Sequence, residues 1–320
     1  MRGRRMRAVG VLGALMLLAA GCSQVGAKPA PKAPSNLTPK EAVAAVRQYA
    51  RGEWKAMTTW STAGQNRLEI PPESTIDDAS WAYNRAARVA TEKPPANLNQ
   101  IPVSVIVPPH APVFEALTNH VYMVFVAKNG RYMQAYSPGQ VAGTPVPKPA
   151  TLAGGYGRLL TGASLRRLPM SPQAVAARYA SDLSESANGV PPADPEFAPG
   201  GGTKSFWANL AAQNFTSGRA QVAPYPMYAF ALKGGGALVF FTVKLVTTST
   251  APSGQALTVS RHSGYSAFIR PGSYASLTTT DLMTVAAVLP SPQHPHAPVA
   301  IVGLTDGVIA VSGTGAAGLA

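Results

Sequence analysis

The chain has 320 residues, 27 lysines and arginines against 14 acids, a formal charge of +13, and a single cysteine, Cys22. One cysteine excludes a disulfide framework within the chain. The basic residues form no block and no basic-aromatic motif, which argues against nucleic acid as a partner and fits anionic lipid or wall polymer, or simple solubility.

Arg2, Arg4, Arg5 and Arg7 precede an apolar run over residues 8–20 that is too short to span a bilayer. A basic head, a short apolar stretch and the small residues Ala19, Ala20 and Gly21 make a secretory signal over residues 1–21. Leu18-Ala19-Ala20-Gly21-Cys22 resembles a bacterial lipobox, which implies cleavage before Cys22 and a diacylglycerol thioether with palmitate-type acylation on it. The bland alternative is an ordinary leader with a chance cysteine. Arg4-Arg5 leaves general secretion and twin-arginine export both open. An acylated Cys22 leaves no thiol for catalysis or metal binding. Residues 22–36, rich in Pro, Ala and Lys, read as an extended tether reaching roughly 40 Å at about 3.1 Å per residue. Loss of the leader arginines leaves a mature chain near +9. The most apolar later run, 237–246, is short and carries Lys244, so the expected location is the extracytoplasmic face of the cell membrane, by lipid anchor alone.

Folding is expected to start at residue 37. Thr38-Pro39-Lys40-Glu41 is a capping box with proline at the first helical position, and Leu37 can staple on Ala42. Val43, Val46 and Ala50 share a face, which predicts a helix to about Arg51. A second helix carries Trp81, and Thr75 to Asp78 stand before it. Asp77-Asp78, the one adjacent acid pair, reads as first-turn acids that complement the helix dipole rather than as an acid/base pair. Residues 121–127 and 131–136 form a hairpin around Lys128-Asn129-Gly130. Residues 138–169, rich in Pro and Gly, read as a linker between a first domain over 37–137 and a second over 170–312, with Leu159 to Leu168 over a sheet edge.

Met170-Ser171-Pro172 repeats the helix start, with Val175, Tyr179 and Leu183 on one face. Residues 191–202 read as a loop. Residues 228–232 and 237–246 pair across a glycine turn. Further strands are expected over 255–260, 265–269 and 282–289, and a hairpin over 299–304 and 308–312 around Asp306-Gly307. Residues 313–320 read as a disordered tail. The halves echo one another in order: Pro39 with Pro172, Trp81 with Trp207, Phe114 with Phe230, and 121–126 with 237–243. The expectation is an α+β fold of two tandem related domains. Each would have a leading helix packed on an antiparallel sheet of the cystatin or NTF2-like kind.

No catalytic constellation emerges. There is no Gly-x-Ser-x-Gly and no Ser-x-x-Lys, and Thr203 stands where a phosphate loop over 200–205 needs glycine. Of the five histidines, His110, His120, His262, His294 and His296, only the last two cluster. His294-Pro295-His296 is the candidate metal site for copper, nickel or zinc, against a proline-rich surface loop. Trp81 and Trp207 read as core anchors, while Trp54 and Trp60 leave a sugar platform open. With no catalytic residue and no cofactor expected, the leading reading is a non-enzymatic envelope lipoprotein that binds a protein or an envelope component such as anionic wall polymer. The alternative is a small-ligand pocket between helix and curved sheet, lined by Tyr122, Phe125, Tyr228 and Phe240. A wall hydrolase without a familiar motif is the third.

The segment from Trp54 to Val107, Val107-Pro108-Pro109, Phe114-Glu115-Ala116-Leu117 and Val288-Leu289-Pro290 complete one further pattern. Together with the lipobox and tether, they resemble a group of uncharacterised actinobacterial, Streptomyces-type secreted lipoproteins. The resemblance implies location and architecture and brings no catalytic residues.

Overall fold

In the computed structural model the described residues are 37–59, 61–89, 101–213 and 215–315; the leader, Cys22, the tether and Trp60 lie outside them. The capping box forms as expected: Thr38 Oγ1 accepts from Glu41 N at 3.2 Å and Glu41 Oε2 accepts from Thr38 N at 2.8 Å. The first helix, α1, runs Pro39–Met57, six residues beyond the expected end at Arg51. Gly52 does not stop it, because its bare backbone seats Leu68: a Cβ there would stand 2.9 Å from Leu68 Cδ1. Two further helices follow, α2 (Thr62–Gln65) and α3 (Glu73–Ala86).

Strands β1 (Val103–Ile106), β2 (Val113–Thr118), β3 (Val121–Lys128) and β4 (Arg131–Tyr136) form an antiparallel meander. Both of its tight turns put two residues at positive φ, as two-residue hairpins require. The expected one has Asn129 at 51° and Gly130 at 75°, and the unforeseen one has Asn119 at 40° and His120 at 66°. The segment read as a linker holds β5 (Gly139–Gln140) and α4 (Gly162–Leu165). Leu159 and Leu160 do cover a strand edge, Leu160 N donating to Ala229 O at 2.7 Å.

The second half supplies α5 (Pro172–Ala187) and α6 (Lys204–Ala211), then β6 (Ser217–Val222), β7 (Tyr228–Ala231), β8 (Ala237–Thr250), β9 (Leu257–Val259), β10 (Gly272–Leu289) and β11 (Ala300–Gly315). Ser171 caps α5 by accepting from Ala174 N, and Val175, Tyr179 and Leu183 are fully buried as their spacing predicts.

The chain is α+β, with one eleven-stranded antiparallel sheet and few helices. The strand path is β1-β2-β3-β5-β11-β10-β8-β6, with β4 added on β3, β7 on β8 and β9 on β10. The halves therefore share a sheet: Gly139 of β5 pairs with Val121 on one side and Leu304 on the other.

Alternation along the strands builds the layers. Val239, Phe241, Val243 and Leu245 of β8 pack against α5 and α6, while Leu238 and Phe240 point the other way, onto Tyr122, Val124 and Tyr136 of the first half. The far face of β2 and β3 carries Phe114, Ala116 and Phe125 beneath α1. The result is helix, sheet, sheet, helix, each fully buried Val, Leu or Phe contributing about 1.5–3 kcal/mol.

Three expectations are corrected. Asp306-Gly307 is not a turn but lies inside β11, paired with Met283 and Leu282. Residues 265–269 are not a strand: a single 3-10 turn, Gly264–Ala267, forms where Gly264 presses on the Tyr83 ring, a Cβ there falling 2.2 Å from Tyr83 Cζ. Gly313 to Gly315, assigned to the tail, extend β11, with Gly313 opposite Leu277.

Candidate functional site

A pocket of about 410 Å³ opens between α6 and the second-half sheet. Its floor is one face of adjacent strands, where the register sets Leu245 opposite Asp281, Thr247 opposite Thr279, and Ser249 opposite Leu277. Asp306 joins from β11, opposite Met283. A β-bulge beside Asp281, where Thr280 pairs with Ala310 but Asp281 with Val308, leaves Ile309 unpaired and bends the strand at this point. Phe206, Asn209 and Leu210 of α6, with Gln213 just past its end, form one wall; Phe215, Leu257 and Tyr265 close the rest.

The polar groups converge at one end. Thr247 Oγ1 and Thr279 Oγ1 lie 2.8 Å apart, and Thr279 Oγ1 donates to Asp281 Oδ2 at 3.3 Å. Asp281 is half-buried and Asp306 is exposed at the mouth. Burial, reinforced by the Asp306 charge, pushes the Asp281 carboxyl up to about 6, with the Thr279 bond opposing. Among the described residues, no basic side chain lines this pocket. The arrangement offers an apolar bed ending in two acceptors, one of which is poorly neutralised. A hydrogen-bond-donating or cationic group on an amphipathic molecule complements it.

A wider cleft of about 770 Å³ lies between the 138–169 segment and the β7–β8 turn. Its charges have the opposite sign: Arg158, Arg167 and Lys233 border it, beside Gly234 and Gly235 at φ 90° and 91°, and no acid lines it.

The structure redistributes the residues singled out in the sequence. Of the expected pocket aromatics, Phe125 is buried in the core beneath α1 and Phe240 in the core between the halves; Tyr122, itself buried, borders a separate pocket of about 300 Å³ beside Glu115 and Leu238, and Tyr228 stands edge-on to Tyr136 at 5.9 Å. The aromatics that do line it are Phe206, Phe215 and Tyr265. Trp81 and Trp207 are buried as core anchors, and Trp54 is half-buried. His294 and His296 are exposed on the loop between β10 and β11, and no third ligand-bearing side chain joins them among the described residues.

Asp77 and Asp78 do not occupy a first turn, since α3 already begins at Glu73. They accept side-chain bonds instead, Asp77 Oδ2 from Gln65 Nε2 at 2.5 Å and Asp78 Oδ2 from Asn66 Nδ2 at 3.1 Å. Sequence reasoning missed the company Asp77 keeps, Glu53, Glu69 and Glu73. The recurrence of acids every fourth residue over 69–77 is the signal that would have found most of it.

No curated protein and no solved structure matches the chain. A family model described as "Domain of unknown function (DUF8094)" matches residues 34–313, nearly all of the described structure. The chain belongs to the DUF8094 family.

Proposed function

We propose that the chain is a non-enzymatic envelope protein, anchored through a lipid on Cys22 to the extracytoplasmic face of the cell membrane. In this reading it binds a small amphipathic ligand, an amine foremost, in the pocket between α6 and the sheet. The observation that carries the ligand reading is Asp281: a half-buried carboxylate in a largely apolar pocket with no basic residue among the described residues of its lining. The large exposed apolar side chains among the described residues, Val89, Val146, Leu152 and Val190, all lie on loops, which supports a small ligand over a broad protein partner.

The helix-then-meander order of each half supports descent from a duplicated unit of the NTF2-like kind. Helices precede β1-β2-β3-β4 in the first half and β6-β8-β10-β11 in the second.

Hexylamine, hexanol and hexanoate, titrated in turn by calorimetry, test the ligand reading. Hexylamine is expected to bind most tightly, and Asp281→Asn to weaken it at least tenfold. Equal affinities for the three, or an unaltered variant, would sink it. The anchor has a separate test: Cys22→Ser should move the protein from the membrane fraction to the medium. A second reading, anionic wall polymer held in the cleft of Arg158, Arg167 and Lys233, predicts that isolated wall retains the protein and that Lys233→Glu releases it.

A further inference from the structure

Four of the chain's fourteen acids converge away from both clefts, where α1, α2 and α3 meet. Glu53 comes from the last turns of α1, Glu69 from the segment before α3, and Glu73 and Asp77 from α3 itself. One ligand oxygen from each of Glu53, Glu69 and Asp77 lies within 4.8 Å of the other two. Tyr49 OH donates to Glu69 Oε1 at 2.8 Å, and Ser137 Oγ donates to Glu73 Oε1.

A neutral side chain points to a ligand independently of the acids. Gln65 is completely buried, and its Nε2 is bonded to the Asp77 carboxylate. The other end of the same carboxamide, Oε1, has no hydrogen-bond partner. It is an orphaned acceptor held beside the cluster. Glu69 Oε2 and Glu73 Oε2, on residues only 2 % exposed, are orphaned in the same way. Buried acceptors in a folded protein are normally satisfied, and oxygens without donors on residues gathered where these helices meet call for a shared positive partner.

We propose that Glu53, Glu69 and Asp77, with Gln65 Oε1, bind a divalent cation, calcium foremost, that ties α1 to α3. The chemistry of the set selects a hard ion, because every donor is oxygen. The make-up of the set selects among hard ions. Calcium takes six to eight oxygens in a flexible shell and accepts several carboxylates together with a carboxamide oxygen, whereas magnesium demands near-ideal octahedral order and keeps several waters beside one or two carboxylates. Three carboxylates with oxygens within 4.8 Å of one another suit calcium. Burial and mutual repulsion raise all four carboxyls, Glu53 to about 7, so a cation would relieve an unfavourable concentration of acids.

The test uses the full chain stripped with a chelator and titrated with CaCl₂, then MgCl₂, in calorimetry and thermal unfolding. Calcium is expected to bind one-to-one and raise Tm by several degrees, with magnesium at least tenfold weaker. Glu53→Gln, at the half-buried member, keeps the fold and weakens calcium at least tenfold, as does Asp77→Asn. Terbium emission sensitised by Tyr49 gives a second readout and should be displaced by calcium. A cluster held together by shared protons instead would give no calcium heat and no terbium signal. Either absence, or a calcium response that both variants retain, overturns the proposal; an equal magnesium response overturns the choice of calcium.

Discussion

Gly307 of β11 lies directly against Ile76 of α3. A Cβ on Gly307 would stand 3.0 Å from Ile76 Cγ2 and 3.1 Å from Ser80 Oγ, so a first-half helix rests on bare second-half backbone. Gly307→Val therefore forces the helix away from the strand. The expected cost is about 1–3 kcal/mol, the range for overpacking a filled site. Urea unfolding measures it, and an unchanged midpoint would show that the contact is slack.

Arg178 serves two acids at once. Its Nε lies 3.7 Å from Asp182 Oδ1 and bonds Asp194 Oδ2, and the side chains of those acids are 0 % and 1 % exposed. Arg178→Met leaves both acids buried without their cation. Because Arg178 is itself half exposed, the loss is set at roughly 2–3 kcal/mol, below the figure for a fully buried pair. The deficit should be larger at pH 8 than at pH 5, since burial and Asp194 already push the Asp182 carboxyl up to about 7. Melts of both proteins at the two pH values decide it.

Glu115 of β2 is 3 % exposed, and burial pushes its carboxyl up to about 8. The folded chain thus holds a proton that the unfolded chain releases near 4.5. Stability from this group is full below pH 4.5 and falls by about 1.4 kcal/mol per pH unit up to about 8. Glu115→Gln should remove that slope and leave the variant more stable than the native chain at pH 8. Equal slopes in denaturant titrations would refute the assignment.

Asp281 titrates with the same sign over a lower window, its stability contribution declining as pH rises from 3.8 to about 6. Its effect on an amine ligand is opposite, because the pocket gains charge over the same range. Hexylamine affinity should rise severalfold between pH 5 and pH 7 and level off above, while hexanol affinity stays flat. In Asp281→Asn both profiles are flat, which calorimetry at pH 5, pH 7 and about pH 8 can establish.

Much of this was legible where chemistry and backbone geometry are local. The Thr38 and Ser171 caps, the Asn129-Gly130 turn and the buried stripe Val175, Tyr179, Leu183 all follow from neighbours within one or two turns. Glycine is ambiguous for one reason. Gly52 and Gly307 look like a helix stop and a hairpin turn, yet both exist so that another element can approach, and proximity in space leaves no mark in sequence. Asp281 and Asp306 become neighbours only through the Met283–Asp306 register, beyond what spacing can tell. Glu69, Glu73 and Asp77 were readable in principle, but an acid near a helix start has an ordinary role that conceals a rarer one.

The strand at the centre of the sheet is the last one described. β11 sits between β5 and β10, although nearly all of the other strands are made long before it. A growing chain that has reached Leu289 still presents two open edges with a strand-wide gap between them. Closure waits on Ala300–Gly315, so the long-range pairings that join the two halves of the sheet form only after that stretch is made, and the earlier strands stay open along both edges until then.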